Sequence, residues 1–116
     1  MLSHMLDQGV LVVTVQNDTG DGRTELLEEI EDLIRGYQPL PVVIAVEDPD
    51  VGAAAIDMVL QAHRVCVRLG VLMSVITHSA PLRRMLQTRA ERDGVRLVIN
   101  ARADIAIAAA AFAAAA

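Results

Sequence analysis

Few side chains in this sequence are placed where they could perform covalent chemistry. Cys66 and His63 stand three residues apart in a stretch of helical periodicity, so a thiol–imidazole pair on one helix face is geometrically conceivable. Cys66 falls in the middle of that helix on its wide apolar face, whereas reactive thiols sit at helix N-termini or beside cations. No third residue is evident that would orient such a pair. We therefore predict a buried, unreactive thiol, a histidine at the margin of the core, and no catalytic residue.

Two loops offer further candidate sites, and each lacks a group that its chemistry requires. Glu47, Asp48 and Asp50 cluster behind a predicted strand, where carboxylates could hold Mg²⁺ as in phospho-accepting receiver domains. Receiver domains also rely on a lysine, and this chain contains none. The loop 19–22 precedes a predicted helix, but it has no G-x-G-x-x-G pattern and its acidic residue would repel phosphate. The sequence therefore predicts no metal site and no cofactor.

The composition limits the function classes further. The chain has 116 residues, of which 53% are hydrophobic, with one Tyr, one Phe and no Trp. A single cysteine excludes an internal disulfide and a cysteine-rich zinc site. Nucleic-acid binding through a broad basic face or stacked bases does not fit a net charge of −5 and so few aromatic rings. The apolar stretch 103–116 is too short to span a bilayer, so we expect a cytoplasmic domain without a membrane partner.

Charge is divided unevenly along the chain. Residues 1–57 carry twelve acidic residues and two arginines, whereas residues 58–116 carry three acidic residues and eight arginines. This asymmetry can steer a charged partner or promote self-association, or acidic and basic helices can lie side by side and neutralise each other. One basic cluster either meets an acidic partner or forms a solvated helix face. Its members are Arg83, Arg84, Arg89, Arg92 and Arg96.

The elements that must position these residues follow from hydrophobic periodicity. Short β-branched runs predict strands at 10–15, 42–46, 71–76 and 95–99, and helical spacing predicts helices at 23–35, 52–69, 79–94 and 103–116. This alternation is typical of an α/β domain with a mostly parallel sheet. We expect one domain spanning 1–116, with four or five strands and about four helices in the order β-α-β-α-β-α-β-α. Residues 1–8 are either a short extra strand or disordered.

Local signals predict where three of these helices begin or end. Gly36 is the expected C-cap of the first helix, and Gly70 is expected to end the second. Ser79 is the expected N-cap of the third helix, since Ala80 and Pro81 follow it. The third helix is expected to turn three apolar side chains inward, and the second to include Val67 in its apolar stripe. The three inward side chains are Leu82, Met85 and Leu86.

Several segments together resemble the STAS domain of anti-sigma factor antagonists. The strand VVIAVED is followed by the helix GAAAIDMVLQAHR, where the family has a D-S-S/T-G-L box and an apolar helix that often ends in A-H-R. The segment THSAPLRRML is similar to the family's P-S-x-x-V-R-R-x-L segment. GVLMSVI is similar to its third core strand, and TELLEEIEDLI matches an upstream helix. The resemblance covers roughly residues 9–112 and implies a STAS-like sheet that usually has an extra N-terminal strand.

The family's phosphorylation box is degenerate in this chain. By position, Gly52 replaces the aspartate of the box, and Ala53 and Ala54 replace the hydroxyl residues that a kinase-type anti-sigma factor phosphorylates in the family. No hydroxyl remains there to accept a phosphate, which would add a charge of about −1.5 to −2. Thr77 and Ser79 are alternative acceptors, although their simpler roles are in a turn and a cap.

The resemblance implies a non-enzymatic bacterial regulatory domain in signal transduction to transcription. Its expected partner is an anti-sigma factor of the ATPase-kinase type, bound without the usual phosphorylation switch. The sequence leaves two alternatives open. One is a scaffold or homo-oligomeric component, such as a homodimer, assembled through the Ala-rich tail and the asymmetric charges. The other is a module that binds a small ligand. The expected partner-binding residues are Asp48, Asp50, Gly52, Ala53, Ala54, Ile56 and Asp57.

Overall fold

Five strands and four helices form the part of the chain that a computed structural model describes, residues 2–15, 23–46 and 53–115. The strands are β1 (Leu2–Asp7), β2 (Val10–Val15), β3 (Val42–Val46), β4 (Met73–Ile76) and β5 (Val98–Asn100). The helices are α1 (Arg23–Tyr37), α2 (Ala53–Leu69), α3 (Ala80–Arg92) and α4 (Ala103–Ala115). The sheet order is β1-β2-β3-β4-β5, with β1 antiparallel to β2 and the other neighbours parallel. The predicted α/β class with a mostly parallel sheet is confirmed.

Both faces of the sheet bury apolar side chains, as expected for parallel strands that are covered by helices on each side. Alternate residues of a strand point to opposite faces. Leu11 and Val13 of β2 therefore join a core with α1, α2 and α3, whereas Val10 and Val12 join a smaller core under α4. Three helices thus cover one face of the sheet and the Ala-rich helix covers the other.

The N-terminal residues form an extra strand, β1. The sequence had left open whether residues 1–8 form a strand or are disordered. β1 pairs along its whole length with β2, from Leu2 opposite Val15 to Asp7 opposite Val10. Gly9 in the connecting turn has a φ of +75°, a value that glycine adopts without strain. The ring of His4 lies 5.9 Å from that of Tyr37, so β1 also meets the end of α1. The expected order of elements therefore gains a strand at its start.

Three expectations about helix ends and faces are wrong or only partly right. Helix α1 continues through Gly36 to Tyr37, so Gly36 is not its C-cap. Met85 is 45% exposed and Val67 is 63% exposed, although both were expected to face the core. In α3 the buried residues are Leu82, Leu86 and Ala90. Their spacing of four residues follows one narrow stripe, and Met85 lies beside that stripe rather than in it.

The remaining end signals are confirmed. Ser79 is the N-cap of α3, and its Oγ accepts a hydrogen bond from the backbone N–H of Leu82 at 3.3 Å. Gly70 follows α2 with a φ of +70°, the left-handed conformation that ends many helices. The last two strands are shorter than expected, since β4 begins at Met73 and β5 begins at Val98. These caps fix where α2 ends and where α3 begins relative to the sheet.

Candidate partner-binding surface

The expected partner-binding residues fall around the start of α2. Asp48, Asp50 and Gly52 lie outside the described residues. Ala53 and Ala54 are the first two residues of α2. The last two expected residues, Ile56 and Asp57, lie about one turn further along α2.

Those two residues, Ile56 and Asp57, have opposite environments. Ile56 is only 2% exposed and belongs to the main core, where it packs among residues of the sheet and helices. A partner can therefore reach Ile56 only through the small surface that remains open. Asp57 is exposed, and its carboxylate points toward α3.

Helix α3 supplies the other side of this surface. Because Leu82, Leu86 and Ala90 anchor α3 in the core, the side chains between these positions project toward solvent or toward α2. Arg84 and Met85 are both exposed, and Arg92 is exposed in the last turn. This face of α3 therefore combines a flexible apolar side chain with cationic groups.

A groove of about 350 Å³ runs between α3 and the start of α2. Ile56 forms its apolar floor, Met85 adds a flexible apolar side chain, and arginines surround them. Methionine adapts its shape to different apolar partners because its side chain is unbranched and polarizable. The groove can thus take an apolar side chain while its rim meets polar or acidic groups. Its lining residues are Ile56, Arg84, Met85, Thr88, Arg89 and Arg92.

An ion pair ties the two helices together at the groove. Arg89 donates from Nη2 to Asp57 Oδ1 at 2.8 Å. Among the described residues, Arg84 and Arg92 form no ion pair, and the groove lining holds three arginines and no carboxylate. By sequence alone, Asp57 and the arginines belong to separate candidate sites. Their contact across 32 positions of the chain could not be found from local spacing.

A second group of arginines extends the basic surface along α2. Arg64 and Arg68 line an open groove with Arg96, which precedes β5. Arg64 lies 3.7 Å from Asp93 and also donates to Gln61 at 2.7 Å. Sequence spacing does not group the arginines of α2 with those of α3, because only the packing of α2 against α3 brings them to one face.

The acidic helix does not neutralise this basic surface. Helix α2 packs against both α1 and α3 and separates them. Glu28, Glu29 and Asp32 of α1 are exposed and form no ion pair with an arginine among the described residues. Of the two alternatives for the charge asymmetry, neutralisation between side-by-side helices is therefore not found between α1 and α3 among the described residues. The three-helix face changes from acidic at α1 to basic at α3.

The alternative hydroxyl acceptors are engaged in local structure. Thr77 is buried, and its Oγ1 accepts a hydrogen bond from the backbone N–H of Ser79 at 3.2 Å. Ser79 uses its own Oγ to cap α3. Arg83 donates from Nη1 to the carbonyl oxygen of Thr77 at 3.1 Å, which holds the same turn. Both hydroxyl groups therefore have the turn and cap roles that the sequence suggests.

The thiol and the imidazole of α2 are located as expected. Cys66 is fully buried, and burial raises the pKa of its thiol to about 11 because a thiolate loses its hydration there. His63 is half-buried at the groove beside Arg64, and the same loss of hydration lowers the pKa of its imidazole below 6.5. A thiol with a raised pKa is a poor nucleophile at neutral pH.

Within residues 2–15, 23–46 and 53–115, no cluster of His, Cys, Asp and Glu side chains has the arrangement that a metal ion needs. No helix among these residues combines the length and the apolar character needed to cross a membrane.

Comparison with protein-family models, with curated proteins and with solved structures finds no match for this chain. The STAS resemblance therefore rests on the sequence segments that carry it.

Proposed function

We propose that this chain is a non-enzymatic regulatory domain that binds another protein through the groove between α3 and the start of α2. The proposed partner is an anti-sigma factor of the ATPase-kinase type, as the STAS resemblance implies. The observation that carries the proposal is the Arg89–Asp57 contact of 2.8 Å. It joins the helix that begins at the degenerate box to the helix that bears the exposed methionine and arginines.

The chemistry of the groove favours a partner segment with an apolar side chain and nearby carboxylates. Met85 and the floor at Ile56 offer an apolar contact, which is the kind of central anchor that contributes most to binding energy. Arg84 and Arg92 lie around it, and arginine binds carboxylates with two parallel hydrogen bonds. Opposite charges across such a rim accelerate association and select the partner.

The same proposal predicts that binding does not respond to phosphorylation at the helix start. In the family, a phosphate at this position would add negative charge where the partner docks. Ala53 and Ala54 stand at the equivalent positions, so the chain has no acceptor there. The domain would therefore not be released by phosphorylation at the helix start when the kinase carries ATP, in the cytoplasm where such partners act.

Titration calorimetry with the kinase-type anti-sigma factors of the source organism, in ATP and in ADP, tests this proposal. We expect sub-micromolar binding to one of them, with no gain of mass in the intact chain after incubation with ATP. The Arg84→Glu variant should bind at least about tenfold more weakly, because it places a like charge against the acidic segment of the partner.

Arg35→Glu is the matched control, since it makes the same charge change on the exposed end of α1, away from the groove. It should bind like the unmodified chain. Equal weakening by both variants would show that net charge rather than the groove controls binding. Absence of binding to every kinase-type anti-sigma factor would reject the proposed partner.

A further inference from the structure

The side of the sheet that α4 covers exposes large apolar side chains. Phe112 is the one phenylalanine of the chain, and it is 79% exposed on α4. Ile105 precedes it by seven residues on the same helix and is also exposed. Residues 105, 109 and 112 recur at spacings of four and three, so they lie along one flank of the helix. Exposed apolar side chains that gather on one surface mark an interaction site.

A groove of about 250 Å³ lies beside this flank, between α4 and the strands β4 and β5. Its helical wall consists of alanines, among them Ala109 and Ala113, whose short side chains leave the space unfilled. The opposite wall includes Leu72 and Val98, which are 53% and 54% exposed. A cavity of about 150 Å³ is sufficient to hold a benzene molecule. The groove is therefore large enough for a phenyl ring.

Charge does not oppose the approach of a second copy on this side. The chain has a net charge of −5, so two copies repel each other in most orientations. Helix α4 contains one charged residue, Asp104, and Arg102 donates to both of its carboxylate oxygens, at 3.1 and 2.8 Å. The groove lining contains no charged residue. Among the described residues, α4 and the groove lining therefore carry no acidic charge without a cationic partner.

We propose that two copies of this chain associate through their α4 sides, with Phe112 of each copy seated in the groove of the other. A symmetric dimer requires one surface that is complementary to itself. Here the same surface carries both a projecting aromatic ring and an apolar groove that accepts one. Alanines along α4 allow two such helices to approach closely. This interface is independent of the proposed function, because α4 and the α2–α3 groove lie on opposite faces of the sheet.

Sedimentation equilibrium of the full chain over a range of concentrations tests the dimer. We expect a mass that rises with concentration to twice that of one chain. Phe112→Ala should weaken association at least about tenfold, since buried aromatic side chains carry much of the energy of an interface. Val98→Glu should abolish association by placing a charge in the groove wall. Val67→Glu is the matched control on the opposite face and should leave association unchanged, since Val67 is similarly exposed.

Isotope-filtered NMR on a mixture of labelled and unlabelled chains should detect contacts between the Phe112 ring of one copy and the Val98 methyl groups of the other. Circular dichroism establishes that each variant is folded. If Val98→Glu does not fold, the exposed Phe112→Ala variant decides the question alone.

Two results would overturn the proposal of a dimer through α4. One is a chain that remains monomeric at every concentration, including a monomer whose groove instead binds a small neutral molecule such as indole. The other is a dimer that persists in both Phe112→Ala and Val98→Glu.

Discussion

The roles of individual residues are governed by burial more than by residue type. Cys66 and His63 are close in sequence and could in principle act as a nucleophile and a base. However, Cys66 is fully buried in the core, and burial raises the pKa of its thiol to about 11. Asp57 is exposed and Arg89 is half-buried, and the two matter because they form an ion pair. The burial of Cys66 could be predicted from sequence because the residue lies on the apolar face of its helix. It could not predict the ion pair, because the two side chains meet only after α2 and α3 pack together.

The raised pKa of Cys66 makes a prediction about reactivity and about stability at high pH. At pH 8 the thiol should react with a disulfide reagent at least about a hundredfold more slowly than a free thiol, because its thiolate fraction is smaller by that factor. The unfolded chain loses this proton near pH 9, whereas the folded chain keeps it until about pH 11. The free energy of unfolding should therefore be unaffected below pH 9 and should fall as the pH rises from 9 to 11.

Denaturant unfolding of the chain and of its Cys66→Ala variant across this pH range isolates the contribution of the thiol. The difference between the two stabilities should shrink as the pH rises. A thiol that reacts at the rate of a free one in the folded chain would contradict the assigned burial.

At the scale of elements, most of the fold could be predicted because its apolar runs are long and their periods are distinct. The strands β2 and β3 and all four helices lie close to their expected positions. β1 was harder to predict because His4 and Asp7 interrupt its apolar residues, and its pairing with β2 is what makes it a strand. The end of α1 was misjudged because a glycine inside the last turn resembles a C-cap, whereas Tyr37 extends the helix by a residue and meets β1.

The two glycines near helix ends should respond in opposite ways to the same substitution. Gly36 lies within α1, and an added Cβ would meet no atom within 4 Å, so Gly36→Ala should stabilise the chain by about 0.5–1 kcal/mol. Gly70 has equal space around it but a φ of +70°, so Gly70→Ala should destabilise the chain by about 1 kcal/mol. Denaturant unfolding measures both changes. A stabilising Gly70→Ala would contradict the left-handed conformation assigned to that position.

For the whole molecule, the arrangement of the helices determines which charges face outward together. The sequence showed that acidic residues gather early and arginines gather late, but it left open whether they neutralise each other. Because α2 lies between α1 and α3, the molecule keeps an acidic flank and a basic flank. The STAS resemblance pointed to the start of α2 as the partner site. Only the packing of α3 beside it reveals Met85 and Arg84 as parts of the same surface.

Docking of a partner in the groove between α3 and the start of α2 can be mapped residue by residue by NMR. The isotope-labelled chain is titrated with the anti-sigma factor that binds it in calorimetry, and the backbone signals that shift or broaden are recorded. If the partner docks there, we expect the signals of Asp57, Arg84, Met85 and Arg89 to change and the signals of α4 to stay unaffected. Changes confined to α4 or to α1, with the groove residues unmoved, would contradict it.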